Sequence, residues 1–346
     1  MKAVRLNQYE QRPAVEDVPE PQITGPMDVV VRIGGAGLCR TDLHLVEGQW
    51  ASRVGDVLPF TLGHENAGWV HEVGSAVEHL APGDTVILHP QATCGLCRYC
   101  RAGDDMHCTG TNFFPGLNTD GGMAEFLKTG ARAVVKIDPN LQPADVAALA
   151  DAGLTAYHAV KKASPQLYPG TRAVVIGAGG LGHIGIQSLK ALTPAEIIVV
   201  DRSEDALKLA QEFGADHAVV ADGGQVEKVQ ELTDGNGAEV VIDFVGERGA
   251  EHDAWGMTRR AGSHFVIGYG GAINVETIDL ISTERNVIGN LVGTFNDLAE
   301  LMVLAAQGKV KLHTQTYPLS AVNDAMDDLD GGRLHGRGIL VPDQAA

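Results

Sequence analysis

Residues 171–182 of this 346-residue chain read TRAVVIGAGGLG, and HIGIQSLKAL follows. An apolar run, AVVI, feeds Gly177-Ala178-Gly179-Gly180-Leu181-Gly182, which opens a segment of helical spacing. That is G-x-G-x-x-G in a strand–turn–helix setting, a pattern that constrains the chain to a βαβ beginning. Gly177 permits the tight turn, Gly179 lets the backbone approach a diphosphate, and Gly182 lets the helix pack close to the sheet. Free N–H groups and the helix dipole favour an anion at that N-terminus. Asp201 ends the next apolar run, 24 positions beyond Gly177. A carboxylate there accepts ribose hydroxyls and repels a 2′-phosphate, so the motif predicts NAD rather than NADP. Arg202 follows directly and could soften that preference. A glycine-rich turn with no nucleotide is the bland alternative.

The rest of the chain falls into two patterns. From Thr171, apolar runs at 173–179, 196–201, 217–220, 239–246, 263–268 and 286–293 alternate in part with helical segments such as 204–215. This predicts an α/β fold with a Rossmann-type, doubly wound parallel sheet over 151–293. Up to about residue 150 the apolar runs are short and punctuated by Gly and Pro, as at 28–37, 65–75 and 83–90, which suggests a β-rich, barrel-like domain. The stretch 143–163 has helical spacing. The tail from 294 to 346, with a helix at 297–308 and a strand at 336–342, is expected to return to the first domain.

Charge narrows the partners. With 26 basic and 44 acidic residues the net charge is −18, which disfavours nucleic acid and anionic membranes. The N-terminus lacks the apolar core of a signal peptide, and no stretch approaches the roughly 18 apolar residues of a membrane span. A cytoplasmic, soluble metabolic protein is expected.

Of five cysteines, Cys94, Cys97, Cys100 and Cys108 form C-x2-C-x2-C-x7-C. Such clustering points to a metal rather than to disulfides. Four thiolates suit a closed, structural zinc site, and an iron–sulfur cluster uses four as well. The fifth, Cys39 in GLCRTDLH, and His64 in GHENAG both follow short apolar runs. An open zinc site needs three protein ligands, so a third must be His, Asp or Glu. Asp151 is the informative candidate, a lone carboxylate in the uncharged stretch ALADAGLTAYH, where burial is costly unless it is paired or metal-bound. Taken singly, Cys39 and His64 could be core residues, and Asp151 could cap the following helix.

Cys39, Gly63-His64-Glu65 with Gly68, Gly74 and Val77, the four-cysteine loop and the glycine-rich unit occur in an order that resembles the medium-chain zinc alcohol dehydrogenase family over essentially the whole chain. The resemblance implies a GroES-like catalytic domain from residues 1–150 with 294–346, carrying a structural zinc lobe at about 94–108. It also implies a coenzyme domain and an active site in the cleft between the two. Cys39, His64 and Asp151 match catalytic zinc ligands, the Asp departing from the cysteine many members carry. Glu65 matches an acidic neighbour behind the zinc, and Asp42 a carboxylate that orients His64. Thr41 and His44 match the proton relay, Thr155 a position beside the nicotinamide, and Arg337 a contact to the coenzyme diphosphate.

The expected activity is reversible hydride transfer between a small alcohol and NAD, with two zinc ions per chain. Trp50, Phe113 and Phe114 lie in loops that often shape the pocket in this family, which favours apolar secondary or aromatic alcohols over polyols. A homo-oligomer is expected, a tetramer rather than a dimer. The rival readings are a zinc-free quinone or enone reductase, a polyol dehydrogenase of the same family, and a non-catalytic, zinc-stabilised nucleotide-binding protein.

Overall fold

Runs of β-branched residues between 172 and 289 form six parallel strands of one sheet. Its spatial order is His217–Val220, Glu196–Asp201, Arg172–Ile176, Ala238–Asp243, Thr258–Val266, Asn286–Gly289. Counted along the chain this is 3-2-1-4-5-6, the order of a dinucleotide-binding sheet. The central strands lack polar alternation because both faces are covered. Val175, Val199 and Ile242 pack into one apolar cluster, and Val174, Ile198 and Val241 into another. Each fully buried aliphatic side chain contributes about 1.5–3 kcal/mol. The fifth strand begins at Thr258, five residues before its apolar run, because Thr258 still pairs with Ala238 ahead of an irregularity in register.

The computed structural model describes residues 1–55, 57–111, 113–334 and 336–343. The chain divides into two units, Thr155–Gly293 and Met1–Leu154 with Thr294–Ala346. No helix among the described residues is long and apolar enough to cross a membrane.

The discontinuous unit is built on the eleven-residue strand Asp28–Leu38. It pairs antiparallel with Glu65–Val73, Phe126–Gly130 and the C-terminal strand Arg337–Val341. Its core includes Val29, Val31, Leu38, Leu45, Leu62, Met123 and Leu340. The expected helical stretch 143–163 is interrupted. A short helix, Pro143–Val146, runs into a 3-10 turn, Ala147–Ala150, and Asp151 leaves helical geometry at φ −129°, ψ −61° before the helix Ala152–Ala163 starts. That break re-aims one carboxylate.

Candidate active site

Strand register assembles the first cluster. The pairing of Asp28–Leu38 with Glu65–Val73 ends at Gly37 opposite Glu65, and its pairing with Arg337–Val341 sets Gly338 opposite Leu38. Cys39, His64, Glu65 and Arg337 therefore meet at one end of the sheet. Cys39 is also the N-cap of the helix Arg40–Val46. Its Sγ accepts from the Thr41 N–H at 3.2 Å, while Asp42 Oδ2 accepts from the Cys39 N–H at 2.9 Å. This capping box fixes Asp42, whose other oxygen stands 3.5 Å from His64 Nδ1. On the far side of the ring, His64 Nε2 is 3.1 Å from Cys39 Sγ and 3.6 Å from Asp151 Oδ2. One ligand atom each from Cys39, His64, Glu65 and Asp151 lies within 4.8 Å of the others.

These spacings fit a tetrahedral cation. Metal–sulfur and metal–nitrogen or –oxygen bonds of zinc length give ligand–ligand edges of about 3.3–3.8 Å. The electrostatics agree. Burial pulls the His64 imidazole down, but Cys39 and Asp42, with help from Asp151, hold it well above its usual value. A buried cluster so rich in acceptors calls for positive charge. With one sulfur, one nitrogen and one oxygen the set suits zinc, although the oxygen makes it harder than a two-thiolate site.

Behind this cluster lies a buried ion pair. Glu65 Oε2 accepts from Arg337 Nη2, and Oε1 accepts from the Ala152 N–H at 3.1 Å. Glu65 is fully buried and Arg337 is 4% exposed. Burial pushes the Glu65 carboxyl up against the opposing pull of Arg337. A Cβ on Gly37 would sit 2.0 Å from Glu65 Oε2, so glycine is required where the carboxylate crosses the strand.

The second cluster is the cysteine loop. Cys94 and Cys97 Sγ lie 4.0 and 3.5 Å from Cys100 Sγ, again near tetrahedral edges. The Cys108 Sγ accepts from the Cys94 N–H, and Cys94 Sγ accepts from Leu96 and Cys97. Backbone N–H groups of Cys100 and Thr109 pull the Cys97 thiol down to about 5, whereas burial and the neighbouring sulfurs push Cys100 up to about 12. Four thiolates in this space would repel one another unless a cation held them.

In the continuous unit the glycine-rich turn adopts the expected geometry. Gly177 has φ +90°, the Gly179 Cβ position faces open space, and a Cβ on Gly182 would lie 1.8 Å from the Gly177 carbonyl. Helix Gly182–Leu192 starts there, with Leu181 at its N-cap. Asp201 Oδ2 accepts from the Ala178 N–H at 2.7 Å and Oδ1 from the Ser203 N–H at 2.8 Å, so the carboxylate is fixed beside the turn. Gly177, Asp201 and Arg202 line a cavity of about 500 Å³.

Residues 25–139 match the family profile described as the alcohol dehydrogenase GroES-like domain, and residues 180–307 match that of a zinc-binding dehydrogenase. An NAD-dependent alcohol dehydrogenase of Sulfolobus acidocaldarius is 36% identical across 98% of this chain and 99% of its own. The chain belongs to the medium-chain zinc-dependent alcohol dehydrogenase family. Another relative in the family, a D-arabinose 1-dehydrogenase (NADP(+)) of Saccharolobus solfataricus, is 37% identical over 99% and 97% of the two chains. The crystal structure of an alcohol dehydrogenase from Aeropyrum pernix superimposes with a TM-score of 0.95 at 47% identity, covering 99% of this chain and 100% of that one.

Thr41 and His44 lie one turn apart on the helix Arg40–Val46, and Thr155 is half-buried on the helix after Asp151. Trp50 and Phe114 pack against the core, while Phe113 is exposed. The Arg337 guanidinium faces Glu65 inside the unit, because a carboxylate buried at Glu65 needs a compensating charge. Sequence reading missed that pair and the Ala152 N–H contact to Glu65. Only the register of a strand 272 positions away reveals the first.

Proposed function

We propose that Cys39, His64 and Asp151 hold a catalytic zinc, that Cys94, Cys97, Cys100 and Cys108 hold a structural one, and that the enzyme interconverts small apolar secondary or aromatic alcohols and their carbonyl counterparts with NAD. The observation that carries this reading is the thiol–imidazole–carboxylate set, its thiol and imidazole buried and its Asp151 carboxylate partly exposed, within 4.8 Å and contributed by three separate chain segments. When bound, zinc polarises a substrate oxygen as a Lewis acid, and the nicotinamide takes or returns a hydride.

The chain's own residues prepare that chemistry. Three protein ligands leave a fourth position open to substrate. Asp42 holds the His64 ring and its proton in place from the side opposite Cys39. Thr41 and His44, on one helical face, pass the alcohol proton to solvent. Glu65 stands behind the ligands with both oxygens engaged, and a coenzyme diphosphate would have to compete with it for Arg337. Gly177, Gly179, Gly180, Leu181 and Gly182 offer backbone N–H groups at a helix N-terminus to the diphosphate. Asp201 accepts the ribose hydroxyls, Arg202 borders the same cavity, and Thr155 stands beside the nicotinamide.

A homo-oligomer, a tetramer in preference to a dimer, is part of this proposal. The edge strand Asn286–Gly289 and helix Thr277–Thr283 expose Ile278, Leu280, Ile281 and Val287, apolar surface of the kind subunits cover. A cytoplasmic setting is also part of the proposal, supported by cysteines grouped for metal rather than for disulfides. The D-arabinose dehydrogenase relative keeps a polyol reading alive.

The test is coenzyme reduction with purified protein, NAD, and primary, secondary, aromatic and polyhydroxy alcohols. Chelator-sensitive turnover favouring secondary or aromatic alcohols supports the proposal. Preference for a sugar or polyol replaces the substrate class, and failure to turn over any of them with both metals and NAD bound argues for the non-catalytic reading.

A further inference from the structure

The end of the strand Ala238–Asp243 carries a carboxylate that none of the roles above uses. Asp243 is fully buried, and so is His264 on the adjoining strand Thr258–Val266. In the parallel register Val241 pairs with His264 and Asp243 with Val266, so both polar side chains lie on one face of the sheet. That face is otherwise apolar, since Val241 packs with Val174, Ile176, Ile198 and Val200. Polar groups on such a face are costly unless they hold something.

Asp243 holds two turns. Its Oδ1 accepts from the Val245 and Gly246 N–H groups, both at 2.9 Å. Its backbone carbonyl accepts from the Ile267 and Gly268 N–H groups, both at 3.0 Å. The turns after two neighbouring strands are thereby gathered on one residue, close enough that a Cβ on Gly246 would lie 2.0 Å from the Gly268 carbonyl. The first of these turns supplies Val245, Glu247 and Arg248 to the cavity that Gly177 and Asp201 also line. Asp243 Oδ2 has no hydrogen-bond partner among the described residues, and His264 Nε2 faces it at 3.7 Å with both ring nitrogens likewise unpartnered.

We propose that Asp243, backed by His264, is a positioning residue for the coenzyme: it fixes the 244–248 turn as one wall of the pocket. This rests on the reading that the cavity takes NAD. The side-chain carboxylate supplies the acceptor that shapes the turn, and His264 supplies the group that keeps the second oxygen from facing an apolar face alone.

The experiment measures NAD affinity and steady-state kinetics of the full-length, zinc-loaded enzyme and its variants Asp243→Ala, Asp243→Asn and His264→Leu, with folding checked by circular dichroism. Loss of two hydrogen bonds to a charged acceptor should raise Kd and KM for NAD in Asp243→Ala by about tenfold or more, with kcat at saturating NAD within about twofold. Asp243→Asn keeps an acceptor oxygen and should recover most of the affinity. His264→Leu should weaken NAD by about threefold or more, because it leaves Asp243 Oδ2 facing an apolar surface with no polar group opposite. NAD affinity unchanged in His264→Leu, or Asp243→Asn as weak as Asp243→Ala, overturns the proposal. If Asp243→Ala does not fold, the other two variants decide between the same outcomes. If the unaltered enzyme binds no NAD, the coenzyme reading falls and the proposal with it, whereas equal NAD binding by every variant overturns the proposal alone.

Discussion

Cys39 Sγ and His64 Nε2 lie 3.1 Å apart although 25 positions separate the two residues in the chain. An antiparallel strand pair places them there, and a helix cap and a helix break bring Asp42 and Asp151 to either side of the imidazole. The cluster is a product of backbone geometry, which is why its supporting residues should be nearly as sensitive as its ligands.

Asp42 is the first such residue. Asp42→Asn keeps a polar side chain at the cap but loses the negative charge facing His64 Nδ1. Zinc affinity or kcat/KM should fall by about 10–100-fold. Metal titration of the variant checks this, and an unaltered affinity would remove Asp42 from the site.

Arg337 is expected to act through Glu65. Arg337→Met leaves a buried carboxylate without its partner, at a cost of about 3–5 kcal/mol. The double variant Glu65→Gln with Arg337→Met should recover much of that loss, because the orphaned charge is gone. Denaturant unfolding of the single and double variants measures the difference.

Asp201 should govern coenzyme choice. Its carboxylate is held by Ala178 and Ser203 N–H groups, so it cannot easily turn away from a 2′-phosphate. A like charge near 4 Å costs about 1–4 kcal/mol between aqueous and protein-surface dielectrics. Asp201→Ser should therefore shift the NADP to NAD ratio of kcat/KM by about fivefold or more. Initial rates with each coenzyme give the ratio.

One prediction concerns pH. His217 and then Arg172 hold the Glu196 carboxyl below its ordinary value, through hydrogen bonds of 2.7 and 3.0 Å. A depressed carboxylate contributes stability that is present above its unfolded pKa and lost as pH falls through the folded one. The site is partly exposed, so the contribution is about 0.2–1 kcal/mol. Glu196→Gln should lower the unfolding midpoint near neutrality, and the gap from the parent protein should close as pH falls below about 4. Thermal unfolding across that range tests the sign.

Much of this was legible in the residues. The glycine-rich turn, Asp201 and the strand runs around them announce themselves because local sequence dictates them: an uninterrupted apolar run is what a strand buried on both faces needs. The four lobe cysteines are legible for the same reason, being close in sequence. Cys39, His64 and Asp151 were identifiable as neighbours only through the family resemblance, since strand register joins the first two and a helix break brings in the third. The break at Asp151 was invisible to periodicity, which runs on through it from Pro143 to Ala163. The pairing of Arg337 with Glu65 and the roles of Asp243 and His264 were illegible, because each takes its meaning from a partner on another strand.

The most direct test is zinc content measured together with alcohol oxidation in the parent protein and in His64→Ala. Two zinc ions per chain are expected in the parent. The variant should retain one ion, in the cysteine loop, with a loss of kcat/KM of about a thousandfold or more, the several kcal/mol a catalytic metal supplies. Two zinc ions retained in the variant, or activity within about tenfold of the parent, would contradict the assignment of His64 and with it the catalytic centre.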